Sequence, residues 1–469
     1  MAAKHPLGKA LIDSMIKDVP SYGNKFFYSL GFLSMISFLV LIVTGVIMTM
    51  YGPTWWLTDT LGKYLRSVHL WATQAFVLFV ILHLLVVFFT SGFKKPRRLT
   101  WVLGVFMMLF VLAETEFGYV LRGDYSSQWR SLQGADFYNG SGIGKFLNPL
   151  NFKQIYGIHI VVVPLLILGL LAVHYLLVRI LGIAKPYRTD IQVPTVRANH
   201  GLLFARGGVL VGLIAVLALI LPSPYIKPTT IQSVAQQDPQ LMGRTLIAEF
   251  NGSSDTASYM DNIDPYTYDV RNTYIDQPYQ AFIATQANSQ NQLQLFNSES
   301  ADAQQQQLKA ASDYYSQDSP NPASLPGSPV TKIVTSLTTM AQAGLYEPAL
   351  AAANSNSQHA DESTYVSRFL SDTGVLEEKA TALSITTDQY GMIREESGRT
   401  PGAWWLAPIG VLNHTVLKND NNGDRDGAII FGSFFLTLLA FPFIPYLNQL
   451  PDKLKVYKLI WRQKKTRQG

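Results

Sequence analysis

Four histidines are placed for chemistry by their spacing. His69 and His83 stand 14 residues apart in one apolar run, and His159 and His174 stand 15 apart in another. Ionisable side chains inside a bilayer are costly and mark functional sites. Fourteen residues is nearly four helical turns, so both imidazoles of a run face the same way, about 21 Å apart along the axis. If the two runs cross in the same direction, His69 is level with His159 and His83 with His174. One reading is a set of imidazoles that hydrogen-bond between helices. The matched spacing and direction favour another: two levels, each with two facing imidazoles, as two stacked bis-histidine haems require.

The elements that must position them are membrane helices. Of 469 residues, 48% are apolar and only 15% charged, and the mean hydropathy is +0.14. Soluble domains carry roughly 25% charged residues. Six stretches approach the ~20 apolar residues that a spanning helix needs: Phe27–Tyr51, Tyr64–Thr90, Leu99–Leu121, Ile155–Ile180, Leu203–Leu221 and Ala428–Leu447. The start of the chain lacks the short apolar run of a cleaved signal peptide. Cysteine is absent, which excludes disulfides, thiolate metal sites, cysteine nucleophiles and thioether-linked haem.

Lys and Arg set the expected orientation. They gather before the first stretch (Lys4, Lys9, Lys17, Lys25), between the second and third (Lys94, Lys95, Arg97, Arg98), after the fourth (Arg179, Lys185, Arg188, Arg197) and in the tail (from Lys453 to Arg467). All four regions fall on one side, read as cytoplasmic, with both termini there. Residues 226–400 are different material, with 20 Asp/Glu against 9 Lys/Arg and abundant Gln, Asn, Ser and Tyr. Apolar patches at Val330–Met340 and Tyr365–Val375 favour an ordered, helix-rich external domain over disorder. Its charge of about −11 could steer a basic partner, or it could be a solvated or packed surface.

Glycines repeat the histidine interval. Gly31 and Gly45 are 14 apart in the first helix, and Gly104 and Gly118 are 14 apart in the third. A flat macrocycle between four helices needs close backbone approach, which glycine permits; ordinary small-residue packing is the alternative. Arg66 and Arg179 lie within a turn or two of the histidines, able to reach haem propionates or to act as interfacial anchors. His200, before the fifth helix, could contact a quinone or be a solvated interfacial side chain. Nothing points to nucleic acid.

These residues resemble cytochrome b, the membrane subunit of quinol-oxidising bc-type complexes, closest to its split, chloroplast-like form. The resemblance is carried by Arg66-Ser-Val-His69, by Gly92-Phe-Lys-Lys-Pro-Arg-Arg-Leu-Thr-Trp101, by Gly118-Tyr-Val-Leu121 with Asp124 and Trp129, and by Pro164 five residues after His159. It covers residues 20 to 187 well and the last two helices fairly. It implies an all-α membrane protein of six transmembrane helices with a four-helix dihaem core. The plan is a 1–26 amphipathic segment, a 27–187 core, a 188–225 fifth-helix region, a 226–400 acidic extracytoplasmic insertion, a 401–426 outer quinol segment and a 427–469 last helix with basic tail.

The resemblance implies two non-covalent b-type haems, on His69 with His159 (outer) and His83 with His174 (inner). It also implies a Rieske-type iron–sulfur partner, a c-type cytochrome or other acceptor, quinone and lipid, and a homodimer within a larger complex. The membrane would be a bacterial plasma or organellar inner membrane. The activity would be quinol oxidation at the outer face and quinone reduction at the inner face. Two other classes stay open: a dihaem anchor that passes electrons between a peripheral dehydrogenase and quinone, and a scaffold with a degenerate outer site. The sequence departs from the family where Pro-Glu-Trp-Tyr is expected, since Gly402-Ala403-Trp404-Trp405 stands there and lacks the glutamate. Ser37 stands where the chloroplast-like form has a haem-binding cysteine. Glu114 and Glu116, just before Gly118, could replace the missing proton acceptor, with Tyr119, Trp404 and Trp405 beside them; Glu114 is expected to face the site.

Overall fold

The computed structural model describes residues 18–185, 193–262, 267–285, 290–353, 360–386, 389, 391, 400–420 and 422–461. Residues 1–17, Arg188 and the basic tail beyond 461 lie outside the described residues. Among the described residues, six helices are long and apolar enough to cross a membrane, matching the number expected. In chain order come α1 (Leu30–Tyr51), α2 (Thr60–Phe89) and α3 (Arg98–Val120). A polar helix, α4 (Tyr125–Gly140), precedes α5 (Val163–Leu181) and α6 (His200–Ile220). Their outer faces bear exposed apolar side chains such as Val209, Leu219 and Leu436, as lipid contact demands of an integral membrane protein.

Caps mark where these helices begin. The Asp59 carboxylate accepts from the backbone N–H groups of Leu61 and Gly62, and Asn199 accepts from that of Leu202 at 2.9 Å. The fourth span is not uniform. It runs through a short helix (Phe152–Gly157) and a π-turn (Ile158–Val162) before α5. Pro164 has no N–H to offer the carbonyl four residues back, and the wider turn takes up one extra residue. That extra residue explains an interval of 15 between His159 and His174 against 14 between His69 and His83.

The spans pack as two groups, α1 and α2 with α6, and α3 with α5 and the last helix, and α2 contacts α3 between them. A two-stranded antiparallel ribbon, β1 (Asp18–Pro20) with β2 (Thr195–Arg197), closes one end of the bundle; this is the ribbon end. Ser91 and Lys94 of the α2–α3 connection bind Asp452 there.

The opposite, domain end carries the acidic segment, whose described residues are largely helical. It includes α7 (Ile231–Gln237), α8 (Pro239–Asn251), α9 (Pro329–Gln342) and α10 (Glu362–Asp372). Their core holds Leu246, Val334 and Phe369 together with Tyr125, Leu132 and Ala135 of α4. The connection between the third and fourth spans is thus part of this domain's core. Gln128 reinforces the joint by two 2.8 Å bonds with the Thr229 backbone. Beyond it, α11 (Ala407–His414) leads into α12 (Gly423–Ala440). The last helix ends earlier than the expected Leu447, because Pro442 and Pro445 break the pattern and Phe441–Phe443 forms a tight 3-10 turn.

Candidate functional site

Helices α2 and α5 run in the same direction, which sorts the four histidines as their spacing requires. At the domain end the His69 and His159 rings lie 6.3 Å apart between centres, with planes at 69°. At the ribbon end His83 and His174 line one cavity of about 530 Å³. Each of the four glycines backs one histidine. A Cβ on Gly45 would stand 3.5 Å from His69, and one on Gly118 only 3.1 Å from His159. A Cβ on Gly31 would stand 3.3 Å from His83, and one on Gly104 3.5 Å from His174. Helix α1 therefore supports the α2 imidazoles, and α3 supports those of the fourth span.

The proton on His69 can be assigned from its neighbour. Thr44 Oγ1 lies 2.7 Å from the Val40 carbonyl and 2.8 Å from His69 Nδ1. The hydroxyl has one proton, given to Val40, so it accepts from Nδ1–H and leaves the His69 Nε2 lone pair for a metal. Across from it, Glu114 Oε1 lies 3.1 Å from His159 Nδ1. Glu116 instead approaches Arg130, at 3.7 Å. The two neighbouring carboxylates thus point to different partners.

Tyr119 is buried, with the Arg130 guanidinium 4.1 Å and that of Arg122 5.4 Å from its ring centre. Its ring is 6.5 Å from that of Trp405, and the fully buried Ala403 shares the same cluster. The Pro401–Trp404 strip is tied to α2 by one side chain. Gln74 Nε2 donates to the carbonyls of Pro401 and Gly402 at 3.1 Å, and Gln74 Oε1 accepts from Trp404 Nε1 at 2.9 Å. The chain brings Tyr119, Trp404 and Trp405 together, and adds Gln74, which no spacing in the sequence marks.

The arginines have surroundings that their spacing does not announce. Arg66 and Arg122 both hold Asp124 Oδ2, at 2.7 and 2.8 Å, and both donate to the Pro224 carbonyl. Asp124 is fully buried, and its Oδ1 caps α4 at the Ser127 N–H. Arg66 thus belongs to an ion triad that the sequence does not reveal. Arg179 is exposed and is not among the residues lining the ribbon-end cavity, whereas Arg97 and Arg206 are. His200 lines that cavity with Asn24 and Phe27.

Fold and site together define a class: an all-α integral membrane protein whose bundle presents two imidazole pairs backed by glycine, in the manner of an electron-transport cytochrome. A family model described as cytochrome b(N-terminal)/b6/petB matches residues 74–239. Cytochrome b6 of Heliobacterium mobile is 32% identical over 202 residues, covering 38% of this chain and 95% of that protein. Cytochrome b6 of Pyropia yezoensis is 33% identical over 196 residues, covering 37% and 91%. A chain of a hyperthermophilic respiratory Complex III overlays 70% of this chain and 91% of its own at a TM-score of 0.37 and 16% identity. The chain belongs to the cytochrome b family.

That family implies b-type haem, and the residues present fit it. Two metal–imidazole bonds of about 2.0 Å plus the ring radii account for the 6.3 Å between His69 and His159. The assigned Nδ1–H leaves Nε2 of His69 as the donor atom, and the glycines leave the imidazoles room that side chains would fill.

Proposed function

We propose that this chain is the dihaem subunit of a bc-type complex that oxidises membrane quinol. His69 with His159, and His83 with His174, are the four axial ligands. When bound, the haems supply one-electron chemistry and a path between the two levels. The single observation that carries this reading is the pairing of four histidines with four glycines at two levels of one bundle.

At the domain end, Tyr119, Trp404 and Trp405 form the wall of the quinol site, and Gln74 holds that wall to the ligand helix. Ala403 supplies no acid, so the proton acceptor comes from α3. Glu116 suits this role better than Glu114, whose Oε1 is engaged with His159. At the ribbon end, His200 lines a cavity next to two ligand histidines, where an imidazole can hydrogen-bond and protonate a quinone oxygen. Arg97 and Arg206 are better placed than Arg179 to meet haem propionates there.

The iron–sulfur cluster that takes the other electron belongs to a Rieske-type partner, since this chain has no cysteine to hold one. The acceptor beyond it is a c-type cytochrome or an equivalent. The Lys/Arg distribution supports a cytoplasmic ribbon end and an external acidic domain.

A potentiometric titration of the purified full chain, followed by its visible spectrum, tests the reading. Two b-type centres are expected, and His83→Ala is expected to remove one while sparing the other. A single centre in the unaltered chain, or loss of both centres on His83→Ala, defeats the proposal.

A further inference from the structure

The two domain-end ligands have unlike partners at Nδ1, and this difference has a functional meaning that rests on the haem reading above. His69 faces a neutral hydroxyl, Thr44, at 2.8 Å. His159 faces a carboxyl group, Glu114, at 3.1 Å. Glu114 sits one turn before Gly118 on α3, so the carboxyl and the glycine are stacked on the same helix face against the same imidazole. Its second oxygen, Oε2, and His159 Nδ1 are both buried without a hydrogen bond among the described residues, so the 3.1 Å approach of Oε1 to the ring is an ion-pair contact. The carboxyl is therefore aimed at His159 rather than held by a separate structural network.

If His159 binds iron through Nε2, its remaining proton must sit on Nδ1. Glu114 Oε1, at 3.1 Å, is then the acceptor within reach of that proton. A carboxyl partner at this position fixes ring orientation and raises ligand basicity. A more basic ligand stabilises the oxidised, more positive iron over the reduced one. Hydrogen bonds to charged groups are also stronger than those to neutral ones, so Glu114 acts more strongly on His159 than Thr44 does on His69.

We propose that Glu114 is a positioning residue that sets the potential of the domain-end centre. By accepting from His159 Nδ1–H it makes that centre harder to reduce, and so favours electron movement from the domain end toward the ribbon end. The fourfold set of ligands and glycines is alike at both ends; this carboxylate is what makes the domain-end pair asymmetric.

Potentiometric titration of the full chain with Glu114→Gln, together with low-temperature electron paramagnetic resonance of the oxidised centres, tests this. Glutamine keeps the shape and an acceptor oxygen but removes the acid. The expected result is an approximately tenfold shift of the domain-end reduction equilibrium toward the reduced form, about 59 mV for one electron. The resonance of that centre should change and that of the ribbon-end centre should not. Thr44→Val should shift the same centre by less than Glu114→Gln does. The proposal is overturned if Glu114→Gln leaves the domain-end potential unchanged, moves both centres equally, or loses the domain-end haem despite the retained acceptor oxygen. Absence of two b-type centres from the unaltered chain would instead count against the haem reading itself.

Discussion

At the domain end of the bundle, His69 and His159 are surrounded by polar side chains: Thr44 and Glu114 on the rings, and the Arg66–Asp124–Arg122 triad among the buried groups nearby. A strip from more than 300 residues along the chain is tied over this end through Gln74. At the ribbon end, His83 and His174 open into a largely apolar cavity of about 530 Å³ that reaches His200. The imidazoles and glycines are the same at both ends. The difference lies in their surroundings, so the sequence of the core repeats a ligand plan, and tertiary contacts from outside the core give each copy its own environment. One end sets polar side chains against its imidazoles, and the other opens them to an apolar cavity.

The largest expected effects would break this comparison at the glycines. On the proposed dihaem reading, Gly118→Val should abolish the domain-end haem and Gly104→Val the ribbon-end haem, each lowering the haem content of the purified chain from two to one. With alanine the ends should separate. Gly118→Ala should lose haem, because its Cβ meets His159 at 3.1 Å, while Gly104→Ala, at an ordinary 3.5 Å, should retain most of it. Equal behaviour of the two alanine variants would mean the ends are equally tight.

Next in size is Asp124→Asn. It leaves two buried guanidinium groups without their carboxylate, a loss on the order of 3–5 kcal/mol. Thermal unfolding of the full chain should report this destabilisation, with the domain-end spectrum failing first. A smaller and more selective effect is expected for Gln74→Leu. Three hydrogen bonds to the strip are lost, each a net contribution of about 1 kcal/mol. Quinol oxidation should show a raised KM, while the potentials of both centres stay unchanged; a shift in either potential would contradict a role confined to the strip.

The smallest effect concerns the domain itself. Burial pushes the Glu249 carboxyl well above the ordinary range, and Asp372, paired with it, is raised by burial as well. A carboxyl whose folded pKa is raised contributes stability below its unfolded value, about 4, and loses it as pH rises through the folded value. The domain should therefore melt at lower temperature as pH is raised from 5 to 8, and Glu249→Gln should flatten that dependence. No such slope is expected for haem retention at the ribbon end.

Much of this was legible in the sequence because it depends on period. Six apolar runs, the histidine and glycine intervals, and the parallel direction of two spans all follow from helical geometry, and the structure reproduces them. What escaped depends on contacts between residues far apart in the chain. Nothing local to Gln74 announces Pro401 and Trp404. Nothing local to Arg66 announces Asp124 and Arg122. The position of Glu114 was half legible: its face followed from the four residues to Gly118, but its partner, His159, depends on how α3 meets the fourth span.

The π-turn at Ile158–Val162 has a consequence for how much the chain length can vary. It stores one residue more than a regular helix needs, immediately beside His159. Removing Val161 or Val162 would turn the segment into ordinary helix and bring the interval to His174 down to the 14 found in α2. A deletion there should be absorbed in place. The same deletion farther along, at Leu168, would leave the wide turn intact and rotate everything beyond it by about 100°, turning His174 away from His83. The fourth span thus has one point at which its residue count can change without altering which face its histidines share.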